Sequence, residues 1–395
     1  MYFVCNRTEY GSMEVFVLYS SEDYKDIEAK IFAGERLTRE DGLRLLACRD
    51  IAWLGNMADY VRQKKCGDIV YYNVNCHVNL TNICTSKCKF CAFGKDKDAP
   101  GAYAMSVEEA VAKVQEAMQD PNLAGLHVVS GLHTDWTFDD YLERLQALHD
   151  AFPQLYLKGF TGVEITHFAK ISGLTVEEVL LKLKAAGLQA IAGGGAEILS
   201  DRVRSKLCPN KATADEWIEV SRTAHRLGIK TNASMLYGHI ETMEERIDHL
   251  LKLRDLQDET GGIQTFICFP FLPKNTELGE MVEQTSMWDD LRMIAISRLM
   301  LDNIRNIKAY WVMLTVPVAQ VALGFGANDM DGTIHKETIL HDAGATSPTA
   351  LSEDRIIRII REAGRIPASC DCNFNIIRIF TEKDQQAQVA QAAQQ

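Results

Sequence analysis

The 395-residue sequence has no excess of positive charge. Its 42 Lys and Arg residues are outnumbered by 54 Asp and Glu residues, which gives a net charge of -12. Proteins that bind nucleic-acid phosphates carry clustered Lys and Arg, so this charge balance argues against a nucleic-acid binder. An anionic ligand must therefore meet a local group of basic residues.

Long uninterrupted hydrophobic runs are also missing. The most apolar stretch, residues 309–327, is interrupted by Thr315, Pro317 and Gln320, so we expect a buried strand followed by a short buried helix and no membrane insertion. The first 20 residues lack the basic segment, apolar run and cleavage site of a signal peptide. We therefore expect a cytoplasmic protein, whose eleven cysteines are free thiols or metal ligands rather than disulfides.

From residue 71 onward, short β-branched or aromatic runs alternate with longer amphipathic segments. The strand candidates are residues 71–80, 125–131, 155–163, 188–195, 229–238, 263–271 and 307–314. The helix candidates are residues 106–119, 137–151, 175–186, 213–227, 242–259 and 286–305. This alternation predicts an α/β fold, a TIM-type βα barrel that is closed or partly open. A doubly wound sheet is disfavoured because the turn after its first strand would carry a Gly-rich phosphate loop, whereas this turn carries cysteines.

We divide the chain into four segments on this basis. Residues 1–68 are expected to form an N-terminal helical segment, with Thr38 as the cap of one helix. Residues 69–330 form the barrel core, and residues 331–382 form a C-terminal extension of the same domain. The Gln/Ala-rich tail, residues 383–395, has too little hydrophobicity to pack, so we expect it to be disordered.

Cys84, Cys88 and Cys91 fall within eight positions, in a segment that follows the first strand candidate. Active sites of βα barrels lie at the C-terminal ends of the strands, where this segment is expected. No second cysteine pair lies nearby in the sequence to complete a four-ligand zinc site. Three thiolates would instead leave one iron of a 4Fe-4S cluster open to a substrate or cofactor. One buried face of a helix is the alternative, but the intervening Ser and Lys residues make a poor helix.

The Cys-x-x-x-Cys-x-x-Cys spacing, with Phe90 directly before the third cysteine, resembles the radical S-adenosylmethionine superfamily. In that family the open iron binds S-adenosylmethionine, and an electron donor such as flavodoxin or ferredoxin starts its cleavage to a 5'-deoxyadenosyl radical. Segments such as "GGGAEIL" and "DGTIHKETILHDAGA" resemble the menaquinone (futalosine pathway) branch, and aminofutalosine synthases fit best. Dehypoxanthine futalosine cyclases and deazaflavin-forming synthases are the alternatives within this branch.

This resemblance implies an unusual reaction. The radical adds to the double bond of 3-[(1-carboxyvinyl)oxy]benzoate, and rearrangement with decarboxylation gives 6-amino-6-deoxyfutalosine. S-adenosylmethionine is consumed as a co-substrate. A hypothesis from another class is an iron-sulfur electron-transfer or structural metal protein, which would perform no bond chemistry.

The resemblance also implies a cofactor pocket behind the cysteines. Amides near Ser130 would receive the methionine end of the cofactor, although a plain turn would have the same sequence. Either Glu164 or Glu197 would accept a hydrogen bond from the ribose, and an aromatic residue at 269 or 271 would flank the adenine or pack in the core. The predicted cofactor-binding residues are Phe90, Ser130, Gly131, Glu164, Gly193, Gly194, Glu197, Asn232 and Phe269.

A second set of polar residues is predicted to act on the substrate. The two histidines in this set follow strand candidates and are expected to donate to the substrate or move a proton. An arginine in "DRVRSK" (201–206) would grip a substrate carboxylate with paired hydrogen bonds, although most of this segment is expected to be a solvated helix face. The motif "GANDMDGT" (326–333) lacks two ligands of a calcium loop and is expected to form a polar turn at the barrel mouth. The predicted catalytic residues are His133, His239, Tyr237, Asn328, Asp329 and Arg202.

Overall fold

The protein is described here from a computed structural model. The structure describes residues 2–7, 13–18, 22–333 and 339–381. The tail for which disorder is predicted, residues 383–395, lies outside the described residues, as does the centre of the "DGTIHKETILHDAGA" segment.

Strands and helices alternate along most of the described chain. The strands are β1 (Tyr2–Arg7), β2 (Met13–Leu18), β3 (Ile69–Asn73), β4 (Asn75–Asn79), β5 (Gly125–Val129), β6 (Tyr156–Gly159), β7 (Ala190–Ile191), β8 (Lys230–Tyr237), β9 (Ile263–Pro270), β10 (Asn306–Lys308), β11 (Asp329–Gly332), β12 (Ile366–Cys370) and β13 (Ile376–Ile379). The helices are α1 (Lys25–Ala33), α2 (Arg39–Leu46), α3 (Ile51–Cys66), α4 (Val107–Ala117), α5 (Phe138–Ala151), α6 (Gly162–Ser172), α7 (Val176–Ala185), α8 (Asp201–Leu207), α9 (Ala214–Arg226), α10 (Met243–Thr260), α11 (Met287–Met300), α12 (Trp311–Leu314), α13 (Val316–Ala322), α14 (Ile339–Asp342) and α15 (Glu353–Glu362).

One curled sheet forms the centre of the molecule. Within the described residues it contains 11 strands in the order β13-β12-β3-β11-β10-β9-β8-β7-β6-β5-β4. The pairs from β12 to β4 are parallel, and only β13 joins antiparallel to its neighbour β12. The predicted fold class, a partly open TIM-type βα barrel, is confirmed.

A bend at Val74 brings the two ends of the parallel sheet together. The first strand candidate, residues 71–80, is in fact two strands, because β3 pairs with β11 whereas β4 pairs with β5. Around the bend, the Thr333 amide donates to the Asn73 carbonyl at 3.1 Å and the Ala124 amide donates to the Val74 carbonyl at 2.9 Å. Consecutive carbonyl groups thus bond to residues beside β11 and beside β5, two strands that are far apart in the strand order, so the sheet curls around an interior.

All six helix candidates are confirmed, with shifts of a few residues at their ends. The cap at Thr38 is also confirmed, because its side chain accepts from the Asp41 amide and the Asp41 side chain bonds back. Several elements of the structure were not expected. Among them, the β1–β2 hairpin precedes the N-terminal helices, and α6 follows β6 directly, where Thr161 caps it through Glu164.

The apolar segment at residues 309–327 differs from the prediction. The strand in this region, β10, ends at Lys308, and the chain then forms the short helices α12 and α13. Helix α12 is fully buried, so its apolar side chains face the core on every side and show no helical period in the sequence. In the described part of the chain, no helix combines the length and apolar character needed to cross a membrane.

The motif "GANDMDGT" was predicted to be a polar turn, and that prediction is wrong. Residues Asp329–Gly332 form β11, which pairs with β10 and β3 inside the sheet. Buried carboxylates are tolerated in this strand because Lys308 of β10 pairs with both Asp329 and Asp331. The proposed start of the C-terminal extension, at residue 331, falls within this strand.

Candidate active site

The three cysteines of the motif lie in an irregular loop that follows β4, and they do not form a helix face. Backbone hydrogen bonds hold this loop to its surroundings. The Cys84 amide donates to the Lys95 carbonyl at 3.0 Å, and the Thr85 amide donates to the Leu132 carbonyl at 2.9 Å. The Lys89 amide donates to the Leu207 carbonyl at 2.9 Å. The loop is therefore tied to the segments that follow β5 and β7.

A cavity of about 360 Å³ opens behind the cysteine loop, inside the curled sheet. Its wall includes Cys84, Cys88 and Cys91. It also includes all nine predicted cofactor-binding residues, which come from loops and strands far apart in the sequence. The structure thus brings the predicted cluster ligands and the predicted cofactor residues together in one site.

The three thiols fit a cluster better than a single ion. Among the described residues, no group of three or more His, Cys, Asp or Glu side chains is placed to hold one metal ion. A 4Fe-4S cluster binds each cysteine through a different iron, so its ligands need not converge on one point. Burial raises the pKa of the Cys88 thiol to about 12 and also raises the pKa of Cys91. These thiols therefore need a bound cation to become thiolates.

The amides at Ser130 and Gly131 are already used within the protein. The Ser130 amide donates to the Glu164 carboxylate at 2.7 Å, and the Gly131 amide donates to the Thr81 carbonyl at 2.8 Å. The expectation that these amides receive the methionine end of the cofactor is thus not supported. The Ser130 hydroxyl, in contrast, has no hydrogen-bond partner among the described residues and lies on the cavity wall.

The two candidate ribose acceptors differ in their surroundings. Glu164 accepts from the amides of Ser130 and Thr161, both at 2.7 Å, and its burial raises its pKa to about 7. Glu197 forms an ion pair with Lys211 at 2.8 Å. The Lys211 ammonium group also lies 5.0 Å from the centre of the Phe90 ring, beside the cysteine loop. Both carboxylates border the cavity, so both alternatives stay open.

The segment "DRVRSK" supports the cavity from outside and does not line it. Arg204 is buried, and its guanidinium group donates to the carbonyls of Gly195, Ala196 and Ala212. It thereby fixes the end of the "GGGAE" loop, whose glycines border the cavity. Arg202 is exposed and forms an ion pair with Glu245 at 2.5 Å. The prediction that Arg202 contacts the substrate is corrected on this ground.

None of the six predicted catalytic residues, all of which the structure describes, borders the cavity. His133 stacks on Trp136 with 4.7 Å between the ring centres. The Nε2 of His239 lies 2.9 Å from the Leu236 carbonyl, and its Nδ1 lies 2.7 Å from the Glu241 carboxylate. These two histidines have structural contacts in place of the predicted role at the substrate.

The remaining three predicted catalytic residues are buried in the wall. Tyr237 donates to Asp290 at 2.8 Å. Asn328 accepts from the Arg298 guanidinium group at 2.7 Å, within a buried network. Asp329 lies 3.4 Å from the Lys308 ammonium group, on the far side of the cavity wall. Each side chain is thus engaged by a neighbouring residue in the protein interior and does not line the cavity.

The cavity is also lined by a layer of polar residues that are not among the predicted site residues, although the sequence suggested that His77 either points inward beneath the cluster or packs in the core. His77, His127 and Lys158 are neighbours on β4, β5 and β6, with His77 opposite His127 and His127 opposite Lys158. All three line the cavity, as do Lys308 and Asp331 from the opposite side. The sequence offered one signal for this layer: each of these strand candidates carries a basic residue in its middle.

The fold and site define a partly open βα barrel in which three closely spaced cysteines, in the loop after β4, border a cavity inside the sheet. Comparison with known proteins agrees. A model of the Radical SAM superfamily matches residues 78–253, and one of the CofH/MqnC C-terminal region matches residues 260–382. The chain belongs to the radical SAM superfamily and is a radical SAM enzyme.

Several relatives align with nearly the whole chain. Aminodeoxyfutalosine synthase of Thermus thermophilus is 45% identical over 90% of this chain and 96% of its own length. Aminodeoxyfutalosine synthase of Streptomyces coelicolor is 41% identical over 91% of this chain and 95% of its own length. A 5-amino-6-(D-ribitylamino)uracil--L-tyrosine 4-hydroxyphenyl transferase of Archaeoglobus fulgidus is 44% identical over 81% of this chain and 92% of its own length.

Solved structures share the fold. Methylornithine synthase superposes with a TM-score of 0.70 at 20% identity, covering 86% of this chain and 96% of its own. The FeFe-hydrogenase maturase HydG from Carboxydothermus hydrogenoformans superposes with a TM-score of 0.71 at 16% identity. The superposition covers 89% of this chain and 81% of the HydG chain. At this level of identity the comparison concerns the fold alone.

Proposed function

We propose that the protein is an aminodeoxyfutalosine synthase of menaquinone biosynthesis. It would join the 5'-deoxyadenosyl group of S-adenosylmethionine to 3-[(1-carboxyvinyl)oxy]benzoate and release carbon dioxide, giving 6-amino-6-deoxyfutalosine. The observation that carries this proposal is the near full-length similarity to two proteins of that name, at 45% and 41% identity. The position of the three cysteines on the wall of the cavity inside the curled sheet supports it.

In this proposal Cys84, Cys88 and Cys91 hold a 4Fe-4S cluster, which supplies the electron that cleaves S-adenosylmethionine. The chain's own residues position the reactants. Gly193 lets the "GGGAE" loop pack directly on β8 beside the cavity, because a methyl group there would lie 2.7 Å from the Asn232 carbonyl carbon. Glu197 or Glu164 accepts from the ribose. The surrounding sheet excludes water, which protects a carbon radical from side reactions.

Analysis of the products formed by the reconstituted protein tests this proposal. The protein would be loaded with iron and sulfide without oxygen, then incubated with dithionite, S-adenosylmethionine and 3-[(1-carboxyvinyl)oxy]benzoate. We expect mass spectrometry to show 6-amino-6-deoxyfutalosine and methionine in equal amounts. A protein lacking Cys88 serves as the control. If 5'-deoxyadenosine accumulates with no adduct in the wild-type protein, the proposal fails.

Two related activities are the second candidates, because relatives or family models point to them. The Archaeoglobus fulgidus transferase, at 44% identity, lies between the two synthases, at 45% and 41%. The C-terminal match, residues 260–382, is shared with CofH and MqnC proteins. The same assay therefore includes two further arms, one with 5-amino-6-(D-ribitylamino)uracil and L-tyrosine, and one with dehypoxanthine futalosine. Turnover in either arm, without the futalosine adduct, would favour that alternative.

We also propose that a flavodoxin or ferredoxin in the cytoplasm delivers the electron. The cysteine loop lies at the outer end of the strands, where a small redox protein can approach it. Replacing dithionite by reduced flavodoxin or ferredoxin in the assay tests this step. Adduct formation is expected with at least one of them, and its absence with both would contradict the proposal.

A further inference from the structure

Lys158 is a buried cation on the cavity wall. Its side chain rises from β6 into the cavity, and the residue is 7% exposed. The ammonium group donates to the side-chain oxygen of Asn232 at 3.3 Å, and an ammonium group has three hydrogens to donate. Among the described residues, no carboxylate lies within ion-pair distance of Lys158. A charged group in such a place is costly unless an anion reaches it.

The other lysines on the wall are paired. Lys211 forms an ion pair with Glu197 at 2.8 Å, and Lys308 pairs with Asp331 and, at 3.4 Å, with Asp329. Among the three lysines of the described wall, Lys158 is thus the one whose ammonium group has no carboxylate within ion-pair distance, although the second carboxylate beside Lys308 offsets part of its charge from further away.

The neighbours of Lys158 offer further unused hydrogen-bonding atoms. His127, in register beside it, keeps its Nε2 atom without a partner among the described residues. Burial holds the pKa of His127 well below its usual range, so its ring is neutral and carries one N–H. Its Nδ1 lies 3.3 Å from Nε2 of His77, so Nε2 of His127 can donate to a ligand when His77 supplies the hydrogen of that contact. The side-chain oxygen of Asn75, two residues before His77 on the same face of β4, is likewise without a partner within the described chain. Such atoms are costly when buried, so they indicate a polar ligand.

The layer lies at a fixed depth below the cysteine loop. His77 is two residues before the end of β4 at Asn79, and the strand rises about 3.3 Å per residue. The layer therefore lies about 7 Å below the end of β4, and the cysteine loop follows that end of the strand. A molecule with a carboxylate at one end and a reactive group at the other would span this space.

We propose that Lys158, with His127 beside it, binds the benzoate carboxylate of the substrate and thereby fixes its direction in the cavity. This inference rests on the proposed function. The vinyl carbon must meet the deoxyadenosyl group near the cysteines, and the enol carboxylate is attached to the adjacent carbon of the double bond. The benzoate carboxylate, across the ring, is the part of the molecule that reaches the polar layer. It is also the carboxylate that stays in the product, so its anchor holds the ring throughout the rearrangement.

Substrate analogues and variants of the cluster-loaded enzyme test this assignment together. The variants are Lys158→Met and Lys158→Arg, with Lys206→Met as the matched control, because Lys206 is exposed and outside the cavity. The ligands are the natural diacid, an analogue with a carboxamide in place of the benzoate carboxylate, and one with a carboxamide in place of the enol carboxylate. Calorimetry with S-adenosylmethionine present and no reductant measures binding without turnover.

We expect wild type and Lys206→Met to bind the diacid about 30-fold more tightly than the benzamide analogue. Lys158→Met should bind both with the same weak affinity, and Lys158→Arg should recover part of the preference. Because it removes an unpaired buried cation, Lys158→Met should also melt at a temperature equal to or above that of wild type without ligand. A lysine with a merely structural role would give the opposite change in melting temperature.

Three results would overturn the assignment. Lys158→Met could bind the diacid as tightly as wild type does, or it could still bind the diacid more tightly than the benzamide analogue. It could also lose the preference for the diacid over the analogue with the enol carboxamide, instead of the preference over the benzamide. Product analysis separates this outcome from failure of the proposed function. If wild type forms no adduct from the diacid, the proposed function fails. If wild type forms the adduct and Lys158→Met shows any of the three results, only the assignment of Lys158 fails.

Discussion

Gly131 packs so closely against Ile83 of the cysteine loop that no side chain fits between them. A methyl group on its α-carbon would lie 2.4 Å from the carbonyl oxygen of Ile83, which directly precedes Cys84. The Gly131 amide also donates to the Thr81 carbonyl at 2.8 Å. The segment after β5 is thus packed directly on the segment that carries the first cluster ligand. This contact explains the glycine better than a contact between its amide and the cofactor.

Gly131→Ala should therefore displace the cysteine loop. The clash is with backbone and cannot be relieved by a side-chain rotation, so we expect a loss of about 1–3 kcal/mol in stability and incomplete cluster loading. Iron content and visible absorption measure the loading. Gly324→Ala is the control, because a methyl group there meets its nearest atom at 3.4 Å, an ordinary contact. Full iron content in Gly131→Ala would show that the loop tolerates the shift.

Cys84, Cys88 and Cys91 should each be required for the cluster, whereas Cys208 should not. Cys208 is the sharp control, because it is buried and close enough to Cys88 to influence its pKa. Changing any of the three ligands to Ala is expected to abolish the 4Fe-4S absorption and the change in the electron paramagnetic resonance spectrum on adding S-adenosylmethionine. Cys208→Ala should keep both signals. Loss of both in Cys208→Ala would mean that a fourth protein ligand closes the cluster.

Changing Arg204 to Lys should destabilise the protein far more than changing Arg202 to Lys. Arg204 is buried and bonds to three backbone carbonyls around the "GGGAE" loop, which a single ammonium group cannot reach together. We expect Arg204→Lys to lose about 2–4 kcal/mol in urea unfolding and to raise the KM for S-adenosylmethionine. The exposed pair of Arg202 with Glu245 contributes little, so Arg202→Lys should stay within about 1 kcal/mol of wild type. Equal losses in the two variants would contradict the assignment.

The stability of the protein should depend on pH through Glu164. Its pKa is raised by burial to about 7, so between about pH 4.5 and 7 the folded state keeps a proton that the unfolded state has lost. Unfolding is therefore favoured as the pH rises through this window. Relative to Glu164→Gln, wild type should lose roughly 2–3 kcal/mol of unfolding free energy across it. Urea titrations at several pH values, without S-adenosylmethionine, measure this difference.

Glu178 provides a control with the opposite sign. It caps α7 through Thr175 as Glu164 caps α6 through Thr161, but it is exposed, and the Thr175 amide lowers its pKa. A carboxylate with a lowered pKa stabilises the fold at neutral pH, and this stabilisation is lost as the pH falls. Glu178→Gln should therefore converge with wild type in acid. The same direction of change in both variants would show that burial of Glu164 is not the cause.

Much of the candidate site could be predicted from the sequence, because its residues occur in short local motifs. The cysteine loop and the nine cofactor-binding residues, among them Gly193 and Glu197, all reach one cavity. In contrast, none of the six predicted catalytic residues borders this cavity. His239 and Tyr237 were chosen because they end a strand candidate, but whether a side chain faces the cavity or the helices depends on strand register and on where the strand stops.

The sequence by itself determined the alternation of strands and helices and the position of three cysteines after the first strand. These features are encoded within a few residues of each other, through apolar periodicity and spacing. Only the tertiary structure decided that His77, His127 and Lys158 form one layer, since their positions depend on the register between three strands that lie far apart in the chain. Only the tertiary structure likewise shows that the Ser130 amide donates to a carboxylate 34 residues further along the chain. Hydrogen bonding and charge pairing between distant segments are set by packing, and packing is not visible in local sequence patterns.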